Sequence, residues 1–250
     1  MRHETIGNIE LTCEDCMDLM AKYPDKYFDL AIVDPPYGVG TVTYMPGERI
    51  HAFGGSFDKY EITVGVLDMN QRKKVKVDVV NKNNTYTTGL QFGDENVSPP
   101  PAYFKELFRV AKHQIIWGGN YFLLPPSRGF VIWSKPTVTE NFSMAMCEFA
   151  WMSFNQNAKI FSCPPMGKPG ERIHPTQKPV ALYKWILSNY AKTGWKILDT
   201  HLGSGSHAVA CYDMGFHLTA CEIDDDYFTS AVKRLKLFTA QGKLDFGGEA

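Results

Sequence analysis

The sequence predicts an α/β fold with a largely parallel sheet, and three observations lead there. Short apolar runs alternate with segments of helical spacing. One of those runs, Leu30-Ala31-Ile32-Val33, is apolar at every position, as a strand covered on both faces must be. A glycine-rich turn, Gly203-Ser204-Gly205, stands between a strand-like and a helix-like segment.

Taken in order, the run at residues 30–33 ends at Asp34-Pro35-Pro36, because prolines cannot continue a ladder. Residues 39–97 fit the alternation poorly: they are polar, with an Asn-rich stretch at Asn81-Lys82-Asn83-Asn84, and read as an insertion. Within it, residues 71–80 and 85–88 could form a β-ribbon turning at Lys82-Asn83-Asn84, as Val75, Val77 and Val79 alternate. Ser98 followed by Pro99, Pro100 and Pro101 starts a helix, whose inward face is Phe104, Leu107, Phe108 and Ala111. Strands follow at His113-Gln114-Ile115-Ile116-Trp117, Phe130-Val131-Ile132-Trp133 and Glu148-Phe149-Ala150-Trp151-Met152. Tyr183, Ile186, Leu187 and Tyr190 make a helical face, with Gly194 placed to stop that helix. The strand Lys196-Ile197-Leu198-Asp199 leads into the glycine turn and a helix through Ala208 to Met214. His217-Leu218-Thr219-Ala220-Cys221 then runs into Glu222, and a last helix turns Phe228, Ala231, Val232 and Leu235 inward.

The 250 residues suffice for one large domain, and no linker divides them. Charged content of 21% and hydrophobic content of 44% are those of a globular chain, and no apolar run is long enough for a membrane span. The start, Met1-Arg2-His3-Glu4-Thr5, lacks an apolar signal core, so a cytoplasmic protein with six free thiols is expected. A formal charge of -1 means that any nucleic-acid contact must come from local patches. Two exist: Arg72, Lys73, Lys74 and Lys76, and the looser set Lys168, Arg172 and Lys178.

Asp34-Pro35-Pro36-Tyr37, at a strand end, carries the most chemistry. The double proline removes two donors and leaves rigid carbonyl acceptors. The Asp34 carboxylate and the Pro35 carbonyl can together accept both protons of an aromatic amine, while Tyr37 offers a stacking face to a planar base. Such acceptance draws the nitrogen towards tetrahedral geometry and makes its lone pair more nucleophilic. The second motif, Asp199-Thr200-His201-Leu202-Gly203-Ser204-Gly205, precedes by about 20 residues an acid, Glu222, placed to bind ribose hydroxyls. Ala208 stands where a third glycine would complete a dinucleotide fingerprint, which favours a mononucleoside ligand.

Together with His174-Pro175-Thr176-Gln177-Lys178-Pro179, these motifs resemble the DNA amino-methyltransferases, and the order, catalytic motif first and cofactor motif last, resembles their permuted β group. The resemblance implies a Rossmann-like domain over residues 1–250: a catalytic region at 1–38 and 98–173, the insertion at 39–97 as target-recognition segment, and a cofactor-binding region at 174–238. It implies S-adenosylmethionine as cofactor, double-stranded DNA as partner and a homodimer. Asp15, Glu222 and Ile223 would meet the nucleoside end of the cofactor, and Thr176, Gln177 and Lys178 the methionine end. Asp199, His201, Gly203, Ser204 and Gly205 would line its pocket, with Asp34 bordering both ligands. Aspartate at position 34 implies N6 of adenine as the target, since the cytosine-N4 enzymes more often carry serine there. Thr200-His201 departs from the Pro-Phe usual in the family.

Other readings are weaker. Cys13-Glu14-Asp15-Cys16 has zinc or redox spacing without a second pair, so no metal is expected. Cys163-Pro164-Pro165 lacks the proline-cysteine order of cytosine carbon-5 enzymes. A non-catalytic DNA-binding protein and a nucleotide-dependent oxidoreductase are the rivals from other classes.

Overall fold

The computed structural model describes residues 2–37, 60–63, 75–81, 84–92, 98–141, 145–165 and 177–240. The chain divides into two compact units, Met1–Pro35 with Pro100–Ala250, and Pro36–Pro99.

The first unit begins with the hairpin β1 (Arg2–Ile6) and β2 (Ile9–Cys13), then α1 (Cys16–Ala21) and β3 (Phe28–Val33). The second unit holds β4 (Tyr60–Thr63), β5 (Val75–Asn81) and β6 (Asn84–Phe92), an antiparallel sheet in that order. The first unit resumes with α2 (Pro101–Val110), β7 (Ala111–Trp117), β8 (Phe130–Ser134), β9 (Cys147–Met152) and β10 (Lys159–Ser162). It ends with α3 (Val180–Tyr190), β11 (Lys196–Asp199), α4 (Ser206–Met214), β12 (His217–Glu222) and α5 (Asp225–Ala240).

Nine strands form its sheet in the order β1-β2-β12-β11-β3-β7-β9-β8-β10. The five strands from β2 to β7 are mutually parallel, so their carboxyl ends share one edge. β9 runs antiparallel to β7 and β8, which brings its first residues to that same edge. The crossover after β3 leads to β7 on one side and the crossover after β11 to β12 on the other, so the strand order switches between these two neighbours, where open α/β sheets form a crevice.

Burial explains why these segments form these elements. Leu30, Ala31, Ile32 and Val33 of β3 are almost wholly buried, and Tyr103, Phe104, Leu107 and Val110 of α2 pack into the same core as Phe28 and Leu198. In α5 the buried stripe is Phe228, Ala231, Val232 and Leu235, the face expected of it. Among the described residues no helix is long and apolar enough to cross a membrane.

Several local expectations are corrected. The α2 helix is led not by Ser98 but by Pro100, with Pro101 at its first position and no side-chain cap; its inward face includes Tyr103 and Val110, while Ala111 already belongs to β7. The α3 helix stops at Tyr190 with Ala191 as an extended cap, and Gly194, at φ 82°, turns the chain into β11 instead. Two edge elements went unforeseen, the β1–β2 hairpin and β10 within residues 155–173. β5 and β6 pair as an antiparallel ribbon up to Asn81 opposite Asn84, with β6 running on to Phe92; residues 82 and 83 of the expected turn lie outside the described residues.

Candidate functional site

Four carboxylates gather at the carboxyl edge of the sheet because each ends a strand or follows one within two residues: Asp15 after β2, Asp34 after β3, Asp199 ending β11 and Glu222 ending β12. Asp34 and Asp199 stand on either side of the crevice.

Asp34 forms an ion pair with Lys178, the residue two before α3. Lys178 is buried, and its ammonium also meets Glu148 Oε2 of β9 at 3.1 Å and lies 5.1 Å from the centre of the Trp117 ring. Glu148 Oε1 accepts from Lys135 Nζ at 2.6 Å, and Lys135, equally buried, lies 4.7 Å over the Trp133 ring. The result is a row of alternating charge, Asp34, Lys178, Glu148 and Lys135, in which the two lysines are buried and the two carboxylates are partly exposed. Burial disfavours the Lys178 ammonium, yet Asp34 and Glu148 outweigh it and hold this lysine above its ordinary value. Burial likewise opposes the Glu148 carboxylate, and Lys178 with Lys135 keeps it below the usual range.

On the other side of the crevice the carboxylates are held by the main chain. Glu222 accepts the amide N–H of Gly203 at 2.8 Å on Oε2 and that of Asp224 at 3.0 Å on Oε1. Asp15 caps α1, accepting the Met17 amide at 2.7 Å. Asp199 is buried; it accepts the His201 amide at 3.0 Å on one oxygen and lies 2.9 Å from His207 Nδ1 on the other. A neighbouring row joins the Tyr103 hydroxyl to Thr200 Oγ1 at 2.7 Å and Thr200 Oγ1 to His201 Nδ1 at 2.9 Å. Burial lowers the His201 imidazole and lifts the Tyr103 phenol well above its ordinary value.

The glycine turn is shaped by its own packing. Gly205, at φ 72°, accommodates no side chain without strain, and a Cβ there would lie 3.0 Å from the Ala231 Cβ of α5. Its glycine serves the close approach of α4 and α5. The Ser204 carbonyl accepts from the Arg234 guanidinium at 2.9 Å, and the Ser204 hydroxyl lies 3.1 Å from that of Ser206.

Of the residues expected from the sequence, Asp15, Asp34, Pro35, Gln177, Lys178, Asp199, His201, Gly203, Ser204, Gly205, Glu222 and Ile223 lie in the first unit. Pro36 and Tyr37 begin the second. Thr176, Lys168, Arg172, Arg72, Lys73 and Lys74 lie outside the described residues, and Lys76 is described only as a backbone position in β5. Glu148, Lys135, Trp117 and Tyr103 were not foreseen as site residues. Only Trp117-Gly118-Gly119, glycines directly after a strand, offered a signal: Gly118 has φ 67°, and a Cβ on Gly119 would fall 2.4 Å from the Trp151 Cβ. Burial, with Asp15 beside it, pushes the Cys16 thiol up to about 12, away from the thiolate form. Among the described residues no group of side chains is arranged to hold a metal ion.

The donor set suits a nucleoside carrying a positive charge. Asp15 follows β2 and Glu222 ends the adjacent β12, joined where the Glu14 amide donates to the Glu222 carbonyl at 3.1 Å. Ile223 beside them is 53% exposed, an apolar face at the edge that an adenine ring could cover. Asp34 supplies an anion at the crevice.

Comparison with known proteins agrees. A type II methyltransferase of Moraxella bovis, M2.MboI, is 21% identical over 229 residues, covering 81% of this chain and 78% of its own. Among solved structures, the M1.HpyAVI complex with SAM aligns over 91% of this chain and 98% of its own, with a TM-score of 0.53 and 16% identity. The cytosine-N4-specific PvuII DNA methyltransferase aligns over 94% and 92%, with a TM-score of 0.55 and 10% identity, and at such identities these likenesses concern the fold. Residues 57–233, well over half of the chain, match the family model for DNA methylases of the N6/N4 type, and the chain therefore belongs to the N6/N4 DNA methylase family.

Proposed function

We propose that this protein methylates the N6 amino group of adenine in double-stranded DNA, with Asp34 and the Pro35 carbonyl as acceptors for the amino protons. The observation that carries this reading is the Asp34 carboxylate at the end of β3, beside the crevice and paired with a buried ammonium. S-adenosylmethionine is the methyl donor; it supplies a methyl group on a sulfonium sulfur that leaves as a neutral thioether. The adenine is turned out of the duplex and stacked on Tyr37. Its nitrogen lone pair forms the new bond to the methyl carbon, and the surplus proton on that nitrogen departs to water. Direct transfer of this kind depends on alignment and needs no covalent enzyme intermediate.

Asp15, Glu222 and Ile223 receive the nucleoside end of the donor, and Gln177 and Thr176 its methionine end, with Asp199, His201, Gly203, Ser204 and Gly205 shaping the pocket wall. Residues 39–97 recognise the DNA target, with Arg72, Lys73, Lys74 and Lys76 on phosphates and Lys168 and Arg172 supporting them. The enzyme works as a homodimer.

Aspartate rather than serine at position 34 supports adenine over cytosine. The test is to incubate the protein with unmodified DNA and S-adenosylmethionine, digest to nucleosides and identify the product by mass spectrometry. N6-methyladenine is expected; N4-methylcytosine as the sole product overturns the choice of base.

A further inference from the structure

We infer that Lys178 is a positioning residue for methyl transfer: held between Asp34 and Glu148, it fixes the Asp34 carboxylate as acceptor for the substrate amino group. Glu148 and Lys135 in turn fix Lys178. The inference rests on the reading of Asp34 as the amine acceptor.

The argument starts from burial. A lysine side chain only 2% exposed is rare, because burying an ammonium without full compensation is costly. Here compensation comes from three separate elements: Asp34 after β3, Glu148 in β9 at 3.1 Å, and the Trp117 ring at the end of β7 at 5.1 Å. Glu148 is itself anchored by Lys135 at 2.6 Å, so the charges alternate and the row is neutral as a whole. Stability alone does not account for such an arrangement, since apolar residues of similar volume often serve a core as well or better. The row ends instead on the carboxylate at the crevice. A carboxylate at a strand end can swing about its terminal torsion, which has broad wells. An ammonium that is itself pinned from two further sides removes that freedom on Asp34 Oδ2. The backbone of Lys178 is restricted as well, because Pro179 follows it as the cap of α3. Alignment of an acceptor to within a fraction of an ångström is what a direct transfer requires.

The experiment compares Glu148→Gln, Lys178→Met, Asp34→Asn, the pair Glu148→Gln with Asp34→Asn, and Asp34→Ala as control. Transfer of labelled methyl to DNA is counted under single-turnover conditions, whichever base receives it, alongside S-adenosylmethionine affinity and the thermal midpoint. Glu148→Gln keeps the shape and an acceptor while removing the charge that anchors Lys178. It is expected to slow transfer by about 10- to 100-fold with donor affinity within about twofold of the parent. In the Asp34→Asn background the same change should have less than about a twofold further effect, because there is no carboxylate left to position. A purely structural role would lower the midpoint and the rate alike in both backgrounds. Wild-type rates in Glu148→Gln, or an undiminished loss in the Asp34→Asn background, overturn the inference. Should Lys178→Met fail to fold, Glu148→Gln decides alone. Full activity in Asp34→Ala would instead sink the reading of Asp34 itself, so the two failures are told apart.

Discussion

Asp34 and Glu222, the acids at the ends of β3 and β12, are held in opposite ways. Asp34 is fixed by a side chain, the Lys178 ammonium, which depends on a second carboxylate and a second lysine. Glu222 is fixed by the amides of Gly203 and Asp224, donors that no side-chain substitution removes. The difference separates two ways of building a site. The Asp34 end, assigned here to the reacting amine, is precise and can be disturbed from a distance. The Glu222 end, assigned to the donor, is a main-chain cradle that tolerates neighbouring substitutions so long as its backbone torsions are kept.

Four perturbations break or sharpen that contrast, beginning with the largest. Asp34→Ala should lower methyl transfer by at least about 100-fold, the usual cost of losing one aligned polar partner of a transition state. Calorimetry should show S-adenosylmethionine binding retained in part; complete loss of binding with a folded protein would move Asp34 wholly to the donor. Glu222→Ala should weaken donor affinity by about 1–3 kcal/mol, the worth of a hydrogen bond to a charged group. Unchanged affinity in the same calorimetric titration removes Glu222 from the site.

Gly205→Ala tests the torsional dependence of the cradle. With φ at 72° and the Ala231 Cβ only 3.0 Å from the new methyl, it should destabilise the fold by about 1–3 kcal/mol in urea denaturation. Gly194→Ala is the reference: its φ is 82° but nothing lies within 4 Å, so it reports backbone strain alone. Equal losses at the two positions would mean that α5 gives way without cost.

The smallest effect concerns pH. Burial lowers the His201 imidazole against the opposing pull of Asp199, Asp34 and Asp15. The unfolded chain therefore takes up its proton at a higher pH than the folded protein. This contribution to stability is complete above the unfolded value of about 6.5 and is lost as pH falls from there to the depressed folded value. His201→Phe should flatten the pH dependence of the urea midpoint across that window, leaving the slope from His113, which burial also lowers. An unaltered slope would mean that His201 is protonated in the folded protein.

What the sequence determined by itself was whatever depends on neighbours along one element. The uniform apolar run at residues 30–33 specifies β3, the apolar end Ile115-Ile116-Trp117 marks β7, helical spacing specifies the buried stripe of α5, and prolines or glycines mark where strands stop. Because Asp34, Asp199 and Glu222 directly follow or end their strands, their place at one edge was legible from residue order. The edge strands β1 and β10 were not, since short strands of mixed polarity carry little periodic signal. Tertiary structure alone decided the rest. Lys178 reaches Asp34 across 144 residues of sequence, and Glu148 meets Lys178 only because β9 runs antiparallel to β7. Gly205 had to be a glycine for α5 as well as for its own turn. A side chain's charge is written in its residue type, but its partner is chosen by strand order and direction. Those are settled by how whole elements bury their apolar faces together.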